Sequence, residues 1–171
     1  MSKPIGTQRL LGASLLAGLI AIVVNTAMLE AADWIPLVTA RGGLLKLLKM
    51  YLSAPLTGLG IADFWAALTL PAPDTHAFKT GFHIVVGLLM AVFYAYVLEP
   101  MLPRSALVKG LLYALLVWLA NAFIVPPWIG EGIAGSAFLC AGGMLYFAAA
   151  HTVFFVLLAL LYEQFTAPRG N

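Results

Sequence analysis

The sequence predicts an all-α integral membrane protein with four transmembrane helices, for three reasons. The chain is 63% hydrophobic, only 9% charged, and its charges leave four long neutral gaps. A soluble domain has roughly 25% charged and 45–50% apolar residues. A chain of 171 residues cannot hide such an apolar excess in its own interior, because small domains have too much surface for their volume. Lipid is the expected solvent, and residues 1–171 read as one membrane domain.

The first gap lies between Arg9 and Glu30, the second between Lys79 and Glu99, the third between Lys109 and Glu131, and the fourth between Glu131 and Glu163. A helix needs about 20 residues to cross the hydrocarbon core. Spans are therefore expected at about 10–29, 80–98, 110–127 and 137–162. Pro126 and Pro127 end the third, while Gly132, Gly135 and Ser136 belong to the loop before the fourth. Lipid offers no hydrogen bonds, so spans must satisfy their own backbone, and these runs lack the alternation of barrel strands. The opening MSKPIGTQR and the apolar run behind it have the outline of a signal peptide. That run is as long as a full span and no small-residue cleavage site follows it, so a retained first helix is expected.

Charge asymmetry sets the expected orientation. Lys3 and Arg9 precede the first span, Arg104 and Lys109 join the second to the third, and Arg169 follows the fourth. The third-to-fourth loop has no Lys or Arg. This places both termini on the cytoplasmic side, although Arg41, Lys46, Lys49 and Lys79 in the first loop pull the other way. The net charge of +2 is scattered, which gives no footprint for nucleic acid. Cys140 is the single cysteine, so the chain holds no internal disulfide and no CxxC site.

The first loop, about 31–79, has its own pattern. Lys46, Lys49 and Ser53 share one helical stripe, opposite Leu44, Leu45, Leu48, Tyr51 and Leu52. A short interfacial helix with its lysines toward water fits this pattern, as does a helix packed across the top of the bundle. IADFWAALTL is too short to span and PAPD ends it, so it reads as re-entrant or surface-lying.

The second and fourth helices align on their histidines: HIVVGLLMAVFY and HTVFFVLLALLY agree at His83/His151, Val85/Val153, Leu89/Leu157, Ala91/Ala159 and Tyr94/Tyr162. Glu99 and Glu163 end these helices, and Asn25 and Asn121 lie late in the first and third. Two parallel helical-hairpin repeats about an axis along the membrane normal would produce this.

Ionisable groups within a span point to function unless they serve packing. His83, His151, Asn25 and Asn121 form the candidate intramembrane polar site. Two imidazoles on facing helices suit a b-type haem, a proton relay or simple interhelical bonding. No metal ligand set is expected apart from that haem alternative. Glu99 and Glu163 read as solvated helix ends, and Lys46 and Lys49 as interfacial residues. Ser14 with Gly18, Ala17 with Ala21, and the small residues of CAGGMLYFAAAH favour close helix packing. The familiar P-loop, GxSxG and HExxH motifs are absent.

One family likeness rests on HIVVGLLMAVFYAYVLEPMLPR, VKG opening the third helix, FIVPPWIG after it and HTVFFVLLALLYE. In these the second half resembles the YagU-like small inner-membrane proteins of bacteria. The first half shares only the layout of a helix and a long outer loop. The resemblance implies a bacterial inner membrane and carries over no catalytic residues. Together these features lead us to expect a non-enzymatic polytopic protein in the bacterial cytoplasmic membrane, without a cofactor. Its expected partners are the lipid bilayer and either copies of itself or other membrane subunits. The alternatives are a haem b electron-transfer subunit using His83 and His151, and a small transporter or proton conductor.

Overall fold

The computed structural model describes residues 7–35, 37–39 and 42–167. Lys3, Arg41 and Arg169 of the charge argument lie outside them. All regular structure among the described residues is helical, and four helices are long and apolar enough to cross a membrane.

Helix α1 (Thr7–Ala31) runs into a 3-10 turn at Ala32–Trp34. In the first loop, α2 (Gly43–Gly58) and α3 (Ile61–Ala67) meet at 87°. Gly60, at φ 69°, supplies the left-handed residue that this bend requires. Helix α4 (His76–Phe93) starts where Thr75 Oγ1 accepts the Phe78 N–H. It continues through a π turn, Tyr94–Leu98, into α5 (Glu99–Met101). The widening has a cause in Pro100, which lacks an N–H and crowds the carbonyl one turn back. Glu99 N–H accordingly reaches Tyr94 O, five residues earlier.

Helix α6 (Ala106–Phe123) stops at Ile124, and Pro126 and Pro127 enter the short α7 (Val125–Trp128), whose first turn tolerates them. Helix α8 (Ala141–Thr166) is the last of the described helices. Its start corrects the expected span: residues 137–139 stay in the turn, where Ala137 N–H bonds Glu131 O and Leu139 N–H bonds Gly135 O. The helix runs four residues further than 137–162 at its far end, to Thr166.

The long helices pack in the order α4–α1–α8–α6. Antiparallel α1 and α8 are pinned at one end by Arg9 Nη2 donating to Ala167 O and at the other by Tyr146 Oη donating to Met28 O. We call these the terminal end and the loop end. The α1 surface inside the bundle is small and partly polar, with Ser14, Ala17, Ala21 and Asn25 nearly inaccessible. Its outside carries Leu11, Leu15, Leu16, Leu19, Ile20 and Val23. That distribution reverses the large-inside rule of soluble cores and is the small-residue packing of membrane helices. Gly110 lets α6 approach α8, since a Cβ there would sit 2.8 Å from Val156 Cα and 2.9 Å from Phe155 O.

The α4–α6 seam is of another kind. The two backbones pack little, and aromatic side chains bridge them. Tyr113 of α6 donates to Met90 O of α4 at 3.2 Å, and its ring meets Tyr94 at 6.2 Å and Phe155 at 4.3 Å. The bundle thus departs from an exact two-fold relation between hairpins. Its α1–α8 seam is tight, and the seam that symmetry would make equivalent is wide.

Candidate functional site

The candidate polar site lies toward the loop end, where α1 passes between α4 and α8. Asn25, 1% exposed, donates Nδ2–H to Ala150 O on α8 at 2.8 Å. A carbonyl oxygen only accepts, so this bond fixes the amide with Oδ1 toward α4. His83 Nε2 lies 2.9 Å from that oxygen and must therefore donate to it. One asparagine thereby joins three helices through two bonds. The tautomer follows as well: His83 carries its proton on Nε2 and leaves Nδ1 bare.

His151 follows Ala150 on α8. Its Nδ1 is 2.9 Å from Phe147 O, so Nδ1–H donates within its own helix and Nε2 is the bare nitrogen. The Phe147 ring packs against it at 4.1 Å. The two histidines, aligned in sequence, thus have different work: His83 ties α4 to α1, while His151 bonds one turn back along α8. No described buried side-chain nitrogen or oxygen lacks a hydrogen bond, so the bare ring nitrogens reach accessible surface.

This geometry bears on the haem alternative. Axial ligation needs two facing imidazole nitrogens with their lone pairs free. His83 Nε2 is engaged with Asn25, and the Asn25 amide fills the space between α4 and α8. Only the hindered Nδ1 of His83 remains. The residues present do not fit a haem held between His83 and His151. Among the described residues no three His, Cys, Asp or Glu side chains converge to hold a metal ion.

The other expected site residues are dispersed. Asn121 donates to Val117 O in its own helix at 3.1 Å and makes no bond across the bundle among the described residues. Glu99, at the terminal end, accepts from Lys109 at 2.9 Å across the α5–α6 connection. Glu163 is exposed on the last turns of α8. At the loop end Lys46 pairs with Glu131 and Lys49 with Asp74, at 2.9 Å for the latter. His76 is exposed and lies 3.4 Å from Glu30.

Sequence reasoning missed the buried aromatic group of Tyr94, Tyr113, Tyr162 and Phe155 toward the terminal end, where Tyr94 and Tyr162 meet edge-on at 5.6 Å. A signal was present in the Tyr94/Tyr162 alignment, which places two tyrosines at matching heights. Glu131 and Asp74 were also missed as partners of the loop lysines. No family model, curated protein or solved structure matches this chain.

Proposed function

We propose that this chain is a multi-pass protein of the bacterial cytoplasmic membrane that serves as a non-enzymatic packing subunit, assembled with copies of itself or with other membrane subunits. The observation that carries the reading is where the polar side chains of the long helices spend their bonds. Ser14, Thr26, Asn121, Thr152 and Thr166 bond their own helix, and Asn25, His83, Tyr113 and Tyr146 bond a neighbouring one. Such groups fix helix packing and do not converge on a substrate. The outward Leu11, Leu15, Leu19, Leu111, Leu115 and Leu119 supply the apolar surface a bilayer covers. Arg9, Arg104 and Lys109 lie at the terminal end and Lys46, Lys49 and Lys79 at the loop end, while the short third-to-fourth loop without Lys or Arg favours cytoplasmic termini.

The test is purification in nanodiscs with mass measurement and cross-linking. A discrete oligomer or a stoichiometric membrane partner is expected. A monomer that moves a solute across liposomes would refute the reading. One observation favours a second reading, a proton conductor past His151. Its bare Nε2 and the bare Nδ1 of His83 lie toward the same end of the bundle, on helices that α1 separates. A proton flux in liposomes that His151→Leu abolishes would establish it; no flux would remove it.

A further inference from the structure

Residues 50–73 contain one charge, Asp63, and are flanked by Lys49 and Asp74. Those flanking residues form an ion pair, with Lys49 Nζ 2.9 Å from Asp74 Oδ1. The stretch leaves and returns at one point, so it cannot be a fifth crossing, whose ends would stand about 30 Å apart. It is also rooted on both sides. Tyr51 meets Trp128 edge-on at 6.2 Å, and Trp65 meets Phe78 of α4 at 5.7 Å.

Between these roots the arm touches little of the chain. Every residue from Met50 to Phe64 is exposed, including Tyr51, Leu52, Leu56, Leu59 and Ile61. A protein partner docks on one face of a helix, whereas lipid surrounds it. Helices apolar on nearly all sides belong in a core or a membrane. Several of their polar groups are also satisfied from within, as hydrocarbon favours. At the bend Leu59 N–H bonds Pro55 O, Gly60 N–H bonds Thr57 O and Phe64 N–H bonds Gly60 O. Trp65 Nε1–H bonds Pro71 O at 3.0 Å, and Thr57 Oγ1 donates to Ser53 O at 2.9 Å.

We infer that residues 50–73 form a re-entrant arm seated in the lipid leaflet at the loop end, clasped at the aqueous boundary by Lys49 and Asp74, with lipid hydrocarbon as its partner. The inference rests on the proposed membrane reading of the four long helices. Asp63, in the first turn of α3, limits the depth. With α3 lying along the boundary, Leu59 and Phe64 enter the acyl chains while the carboxylate stays at the headgroups.

Site-directed spin labelling of the full chain in liposomes tests this. Cys140 is replaced by serine, and labels are placed at Leu59→Cys, Phe64→Cys, Asp74→Cys and Leu115→Cys. Accessibility to dissolved oxygen is compared with accessibility to a water-soluble nickel chelate. The arm labels should match Leu115→Cys, with oxygen favoured several-fold over nickel, while Asp74→Cys favours nickel. Nickel access at Leu59 and Phe64 would put the arm in water and overturn the inference. Low access to both reagents would mean a protein covers it, a second copy included, and would also overturn it. If Leu115→Cys itself lacked the lipid signature, the membrane reading would fail first.

Discussion

Asn25 donates its side-chain amide to the carbonyl oxygen of Ala150, 2.8 Å away on a different helix, and turns its own oxygen to His83 at 2.9 Å. The acceptor is a backbone group that already lies in the α8 ladder, so the contact adds a bond across a seam lined by small side chains. Asn25→Leu removes both bonds and forces a larger side chain into a fully buried site. We expect a loss of about 1–3 kcal/mol, the cost of stranding buried polar groups with some overpacking. Unfolding in mixed micelles measures it. A change below about 0.5 kcal/mol would show the junction to be unimportant.

The two histidines should respond unequally. His83→Leu strands the Asn25 oxygen and cuts the α1–α4 tie, for about 0.6–1.7 kcal/mol, the range of interhelical bonds in membranes. His151→Leu loses a bond to Phe147 O and a ring contact with Phe147, both within its own helix, and no bond to another helix, so it should cost less than His83→Leu. Equal losses in the same unfolding assay would contradict the assigned hydrogen bonds.

Much of the architecture was legible because charge is so scarce in this chain. Arg9 and Glu30, or Lys79 and Glu99, bracket helices whose observed ends fall within a few residues of those charges. Helix ends were less legible where turn hydrogen bonds decide them, as at residues 137–139. The polar site was half legible. Histidine and asparagine stand out in an apolar run, but their partners depend on which seam is tight. Nothing local distinguishes Asn25, which crosses a seam, from Asn121, which bonds Val117 O. Small residues decide the difference: α1 presents Ser14, Ala17 and Ala21 to its neighbours, whereas the α4–α6 seam is held apart by Tyr113.

At Gly110 the backbone of α6 lies close against that of α8. Alanine is the better helix former by about 1 kcal/mol, which alone would favour Gly110→Ala. The new Cβ would however stand 2.8 Å from Val156 Cα and 2.9 Å from Phe155 O, and backbone cannot rotate aside. Overpacking costs about 1–3 kcal/mol, so net destabilisation is expected. Gly110→Val should be worse. A stabilised Gly110→Ala in the unfolding assay would mean that the two helices are further apart than described.

Cys140 reports orientation without any engineering. It is exposed, precedes α8 and lies at the loop end. With both termini cytoplasmic, a membrane-impermeant maleimide should label it in intact spheroplasts and fail to label it in inside-out vesicles. The opposite pattern would invert the topology proposed here.

Asp74 should make the arm clasp acid-sensitive over a defined window. Its hydrogen bond with Lys49, and then the charge of Lys49 and more distantly of Lys79, hold its carboxyl below the ordinary 3.8. A carboxyl lowered on folding contributes its ion pair fully above the unfolded value and loses it as pH falls through the folded one. The clasp should therefore be unchanged from pH 7 to pH 5 and open only below 3.8. A spin label at Leu59→Cys reads this as a gain in mobility at low pH. Asp74→Asn should produce the same mobility at pH 7, since the amide keeps the shape and removes the charge. Opening between pH 7 and pH 5 would mean that the Lys49–Asp74 pair is not what holds the arm.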